Sequence, residues 1–274
     1  MFHRMRGRHA VESHVKLRRN VISPVLAVLI LLSLFTCGSF GQTSVATTES
    51  SPPLFSAGPT TDYKAALPNP GDVLQFRRGE RYNIDNPNSP EIGENSKDDE
   101  LGFWNLPPSH FRKDAMPFAA SDAVAIGTVT AGQAYLSNDK RELYSEFKFS
   151  PTEVIKNPQA PYLLTGDVVD IQRRGGAVRL PSGKVLTRGA IWESMPRIGA
   201  RYLLFLKYDT DTQDYSILMG YELAGNEVYR LDELNVDDGN HPEIAHLLRA
   251  EGVTEGEFLF HAKSTFVSQK AKAN

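Results

Sequence analysis

The sequence predicts a mainly β domain, a small antiparallel barrel with C-terminal helices, held behind an export signal and a loose tether. Three observations carry this. From Ala119 to Leu231 short aliphatic and aromatic runs are separated by polar or glycine-containing turns about every ten residues. No long helical pattern alternates with them, which excludes a doubly wound parallel sheet. Ahead of them come a basic leader, an uncharged apolar run and a stretch rich in Ser, Thr and Pro.

Residues 1–41 are the first element. "MFHRMRGRHAVESHVKLRRN" carries Arg4, Arg6, Arg8, Lys16, Arg18 and Arg19 against Glu12 alone, and "VISPVLAVLILLSLF" follows without a charge. A basic segment, an apolar segment and then small residues is the layout of an export signal, and the basic flank keeps the N-terminus cytoplasmic. Cys37, the chain's single cysteine, has three fates. Leu34-Phe35-Thr36-Cys37 resembles the bacterial lipobox and makes Cys37 a candidate lipidation site, although Thr36 departs from the small residue expected there. Ser39-Phe40-Gly41 suits cleavage before Gln42, which would discard the cysteine. Retained, the segment is a single membrane anchor, short for a span and interrupted by Pro24. Each fate places the rest of the chain outside the cytoplasm, in the periplasm, the cell envelope or the medium, and restricts membrane contact to this segment.

The exported part then has no cysteine, hence no disulfide framework and no thiolate metal site. Taking the leader's six basic residues and one acid from the chain's 30 and 33 leaves 24 and 32, a net charge of about −8. Such an acidic chain is a poor binder of nucleic acid, which requires phosphate neutralisation.

Residues 42–117 read as a Pro/Ser/Thr-rich, largely disordered linker, since "TSVATTESSPPLFSAGPTTDY" and "NIDNPNSPEIGENSKDDE" offer too little apolar area to offset ordering. Islands such as "DVLQF" and "LGFWNLPPSHF", with Phe103 and Trp104, are expected to dock on the domain that follows. Residues 118–232 are the barrel. "DAVAIGTVT" is its first strand, with Gly127 marking a bulge or a close backbone approach. "ELYSEFKFSPTEVIK" is a long second strand in which Leu143, Ser145, Phe147 and Phe149 alternate with Tyr144, Glu146 and Lys148, bent or broken at Pro151. "GDVVDIQ" is the third. "RRGG" supplies a turn with Gly175 and Gly176 at positive φ, and "AVRL", "VLTRG", "ARYLLFLKY", "YSILMGYEL" and "EVYRL" follow as further strands. A bulged first strand, a long second and a hairpin into a fifth suit a closed barrel of the OB type. Residues 233–274 are a helical extension: "NHPEIAHLLRAEG", ending at a Gly252 C-cap, then a second helix with Thr254 and Glu257 as a capping box.

The run from Ser121 to Asn157, with "GDVVDIQRRGG" and "IGARYLLFL" after it, resembles a recurrent kind of exported bacterial protein. Gly127, Glu153-Val154-Ile155-Lys156, Gly166, Val168, Gly175, Gly176, Pro196, Gly199 and Tyr202–Leu206 carry the resemblance. The same order is similar to the OB-like barrel of netrin and metalloproteinase-inhibitor modules, over roughly 120–220. The resemblance implies the fold. The inhibitors present an N-terminal cysteine to their target's metal, and no cysteine lies in this barrel, so their mechanism does not carry over.

The sites are few. Arg173, Arg174, Arg179, Lys184 and Arg188 cluster in sequence as a candidate anion-binding patch, set against the plainer reading of solvated strand and turn cations that deter edge pairing. "DTDTQD" has Asp209, Asp211 and Gln213 at calcium-loop spacing, but Asp214 stands in the glycine position and Gly220 in the glutamate position, so a polar turn is expected. His241 and His246 miss the spacing of a zinc helix. No metal site, cofactor motif or catalytic set is read. The expected function is non-enzymatic binding of an envelope protein or glycan; the alternatives are an exported hydrolase with a site assembled from scattered residues and a protease inhibitor acting through a barrel edge.

Overall fold

The computed structural model describes residues 56–84, 88–96, 113–157, 161–189, 193–232, 236–237 and 253–273. The leader with Cys37, the Phe103–Trp104 island and the helix expected over 240–252 lie outside these residues. In chain order the elements are β1 (Thr60–Asp62), α1 (Tyr63–Ala66), α2 (Val73–Arg81), β2 (Lys113–Asp114), β3 (Ala123–Leu136), β4 (Leu143–Lys156), β5 (Val169–Arg174), β6 (Gly176–Arg179), β7 (Val185–Arg188), β8 (Arg201–Asp209), β9 (Asp214–Ala224), β10 (Glu227–Arg230), β11 (Val236–Asp237) and α3 (Glu255–Ala273). Among the described residues no helix is long and apolar enough to cross a membrane.

Five strands close into a barrel. β3 pairs with β4, β4 with β5, β5 with β9, β9 with β8, and β8 returns to β3. All of these pairings are antiparallel except β5–β9, where Ile171 lies opposite Tyr215 and Gln172 opposite Ser216. Counted along the chain, the first barrel strand pairs with the second and fourth and the third runs parallel to the fifth, the closure of an OB-like barrel. The fold class read from the sequence is therefore what the chain adopts.

Alternation along the strands builds the interior. Phe147 and Phe149 of β4, Ile171 of β5, and Tyr202, Leu204 and Leu206 of β8 fill the barrel. The intervening Val124, Ile126, Leu203 and Phe205 face outward, where Phe258 and Ala262 of α3 and Met116 and Phe118 cover them. β8 is thus apolar on both faces because both are buried. α3 starts where expected: the Glu257 amide donates to Thr254 Oγ1 at 3.3 Å. β4 runs on through Pro151, which lies opposite Gly127 where the register shifts. A Cβ on Gly127 would stand 2.3 Å from the Ser150 carbonyl oxygen and 2.7 Å from the Phe149 ring.

Two expectations are refined. The "RRGG" turn links the third strand to "AVRL" but does not keep the two in one sheet. Instead Gly175 (φ 100°) and Gly176 (φ 151°) turn the chain out of the ring, and β6 joins a small sheet between β1 and β7. Within the linker expected over 42–117, the described residues 56–84, 88–96 and 113–117 are structured: β1 lies parallel to β6, Tyr63, Ala66 and Ile92 are buried with Ala134, Leu136, Leu143, Val178 and Leu186, and Ala115 and Met116 are buried over the outer face of β3 and β8. These apolar residues are too sparse to look like a core by themselves, and remote strands supply their partners.

Gly127→Ala forces a methyl group into backbone and ring and should lower stability by about 1–3 kcal/mol. Gly256→Ala, in α3 with nothing within 4 Å of the added carbon, should raise it by up to about 1 kcal/mol. Urea midpoints of both variants against wild type measure the pair.

Candidate functional site

α2 begins at Asp72, whose Oδ1 accepts from the amides of Leu74 (3.1 Å) and Gln75 (3.0 Å). Its orientation is inverted relative to an ordinary amphipathic helix. Val73 is 61 % exposed and Phe76 40 %, while Arg78 is 7 % exposed and Gly79 is buried. The helix lies across the outer face of β4 and β5, between the β3–β4 loop (137–142) and the β8–β9 loop (210–213).

Arg78 is the centre of the contact. Its Nη1 is 2.9 Å from Glu146 Oε2 on β4, its Nε 2.8 Å from Asp214 Oδ2 at the start of β9, and its Nη2 3.5 Å from Asp170 Oδ2 on β5. Nε also donates to the Thr212 carbonyl at 3.3 Å. Arg81 pairs with Asp209, donates to Thr212 Oγ1, and reaches Ser216 Oγ at 3.1 Å. Arg77 donates to the Asp211 carbonyl at 3.2 Å. On the opposite side Asn138 donates from its amide to the Gly79 carbonyl (3.3 Å) and from Nδ2 to the Phe76 carbonyl (2.9 Å). A Cβ on Gly79 would lie 2.4 Å from Asn138 Oδ1, so a larger residue there displaces the Asn138 side chain. Past the helix, Tyr82 stacks on Tyr144 at 4.8 Å and Tyr144 on Tyr135 at 5.6 Å.

Burial sets the electrostatics. Desolvation raises Glu146 above the usual carboxylate range, although Arg78 opposes it, and raises Asp214 despite the Thr212 hydroxyl and both arginines. Asp209 moves the other way: burial would raise it, but the amides of Asp211 and Thr212 and the Arg81 guanidinium outweigh that. Desolvation would lower Arg78, and the three carboxylates more than reverse this. Burial pushes the Tyr135 phenol up to about 12. Gln172, wholly buried beneath the cluster, donates to Asp214, while its Oε1 has no hydrogen-bond partner among the described residues.

The residues of the candidate anion patch do not share one exposed face. Arg173 is 4 % exposed and paired with Asp232, and Arg188 is 6 % exposed. Their neighbours differ: Arg174 Nε lies 3.5 Å from Glu142 Oε2, Arg179 Nη1 lies 3.2 Å from Asp62 Oδ1, and Lys184 sits in the exposed β6–β7 turn. β5 turns Arg173 to one side and Arg174 to the other, so adjacency in sequence divides them in space. In "DTDTQD", Gln213 takes a positive φ of 54° and Asp209 caps the turn, so the segment is the polar reversal expected. Among the described residues no group of three or more His, Cys, Asp or Glu is placed to hold a metal ion. Cys37, His241 and His246 fall outside the described residues. Sequence reasoning passed over Arg78, Arg81 and Tyr82, although Asp72 ahead of "VLQFRRGER" is a legible helix start.

The chain matches no protein-family model, and no curated protein is similar enough to count as a relative.

The cluster has a sign that titration can read. Above the ordinary carboxylate range, the folded chain binds more protons at Glu146 and Asp214 than the unfolded chain does. Stability contributed there therefore rises as pH falls through the range, above the ordinary carboxylate values, in which Glu146 and Asp214 take up their protons. Asp209, being lowered, loses its contribution only below its ordinary value of 3.8. Glu146→Gln combined with Asp214→Asn should flatten the rise, measured as urea midpoints across that window; parallel profiles for the two proteins would contradict the assignment.

Proposed function

We propose that this chain is an exported, non-enzymatic binding module of the cell envelope or medium, and that it receives a protein partner on the outer face of β4 and β5. The basic and apolar leader over 1–41 supports export. The position of α2 carries the binding reading. Barrels of this type take ligands on the face of their second and third strands, between the loops that join the first two and the last two strands. α2 lies between those loops here, its arginines against Glu146, Asp170, Asp209 and Asp214. The face is thus built to hold a polypeptide bearing positive charge. Tyr135 and Tyr144 add a stacking surface, which suits a protein side chain.

A photo-reactive residue placed at Lys148, half-exposed on this face, should form a discrete adduct with an envelope protein in intact cells of the native host. The same group at Lys184, in the β6–β7 turn, should not. Equal labelling from both positions, or none from either, would overturn the reading, and an adduct with glycan from Lys148 would change the class of partner.

A further inference from the structure

Resting on that reading, we infer that α2 is a displaceable internal occupant of the β4–β5 face, and that the partner is a helical protein segment carrying two arginines three residues apart followed by an aromatic, the pattern of Arg78, Arg81 and Tyr82.

The manner in which α2 is held supports exchange. An apolar helix such as α3 is fixed by side chains that have no better place in water. α2 turns Val73 and Phe76 outward and presents guanidinium groups and backbone carbonyls to the barrel. Its contacts are with Glu146, Asp170, Asp209 and Asp214, which a competing guanidinium can take over one for one. The receptor groups belong to the barrel: Glu146 to β4, Asp170 to β5, Asp214 to β9, and Tyr144 is positioned by its strand. They remain in place whichever helix supplies the arginines. Gln172, wholly buried under the cluster with an Oε1 that has no partner among the described residues, is one acceptor that α2 leaves unfilled and that a better-fitting ligand can use. Charge complementarity selects the occupant, since the four carboxylates exceed the positive charge that Lys148 and any neutral ligand would bring.

Because α2 belongs to the same chain as the face, this is a competition. A docked α2 lowers the apparent affinity of any external helix by the fraction of time the face is open. Loosening α2 must therefore strengthen binding in trans, an outcome that a purely structural helix would not give.

The probe is a labelled synthetic peptide of residues 72–84, titrated into the full chain by fluorescence anisotropy at low salt. Binding should be about tenfold tighter or more to Arg78→Ala/Arg81→Ala than to wild type. It should be lost with a peptide carrying the same two substitutions, and it should weaken as salt rises. Arg81→Ala alone, a milder change at a half-buried residue, should give an intermediate gain, and it serves if the double variant does not fold. Equal affinity for wild type and variants would overturn the inference, because the face would then be open or the peptide bound elsewhere. Binding to neither, with Lys148 cross-linking still positive, would overturn the arginine-helix partner and leave the binding face standing. Loss of the Lys148 adduct itself would remove the underlying reading instead. Displacement of α2 by an oligosaccharide and not by the peptide, followed as increased amide exchange over residues 73–81, would assign the face to a glycan.

Discussion

β3 pairs along its first half with two neighbours at once, β4 on one side and β8 on the other, and the closed ring depends on this double pairing. A strand shared in that way must bend sharply enough for its far end to leave β8 and continue with β4 alone, to the hairpin at 137–142. The register shifts around Gly127 provide the bend. They bring the strand so close to Ser150 and Phe149 that only a residue without a side chain fits.

Closing the ring removes free strand edges but leaves an outer surface that must also be satisfied, and the chain covers it in three chemically different ways. Over β3, β8 and β9 it uses an apolar helix, α3, packed through Phe258 and Ala262. Over the extended β3–β4 hairpin it adds a small sheet with an apolar seam of its own. Over β4 and β5 it uses ions. Apolar cover is stabilising in proportion to the area removed from water, about 25 cal/mol per Å². Ionic cover has no such assurance, because desolvation offsets much of the attraction and the pair is strongly favourable only relative to a buried charge left alone. A face of that kind is expensive to leave half-filled, yet it is indifferent to which guanidinium fills it.

The strands were legible in the sequence because a strand's signature is local: alternation in "ELYSEFKF" and doubly apolar "YLLFL" need no knowledge of partners. The faces were less legible. Alternation assigns Tyr144, Glu146 and Lys148 to the outside of β4, yet among them only Lys148 is exposed, because α2 covers the other two. That cover comes from some seventy residues upstream, out of a polar stretch whose inward side is charged. An apolar-periodicity argument therefore points its buried face the wrong way. The basic run from Arg173 to Arg188 shows the complementary limit. Charges adjacent in sequence need not be adjacent in space: β5 alternates them across the sheet, and the turn at Gly175 and Gly176 carries Arg179 and Arg188 into another sheet.

The two buried arginine arrangements also differ in kind, and the difference locates the part of the molecule able to change. Arg173 and Asp232 are both nearly sequestered, 3 % and 1 % exposed in their side chains, and each belongs to the barrel or its immediate continuation. Neither can leave without opening the fold, and losing one would strand the other at a cost of about 3–5 kcal/mol. Arg78 is also buried, though less fully, 8 % exposed in its side chain, and it stands on an element joined to the barrel only through its own chain ends and its contacts. On the inference that α2 can leave, Arg78, Glu146 and Asp170 would return to water by one movement, while Asp214 would keep the Thr212 hydroxyl and the Gln172 amide as donors. A buried ion pair solvated on both sides by the same movement would behave as a latch and not as a rivet, and that inference assigns the behaviour to the β4–β5 face.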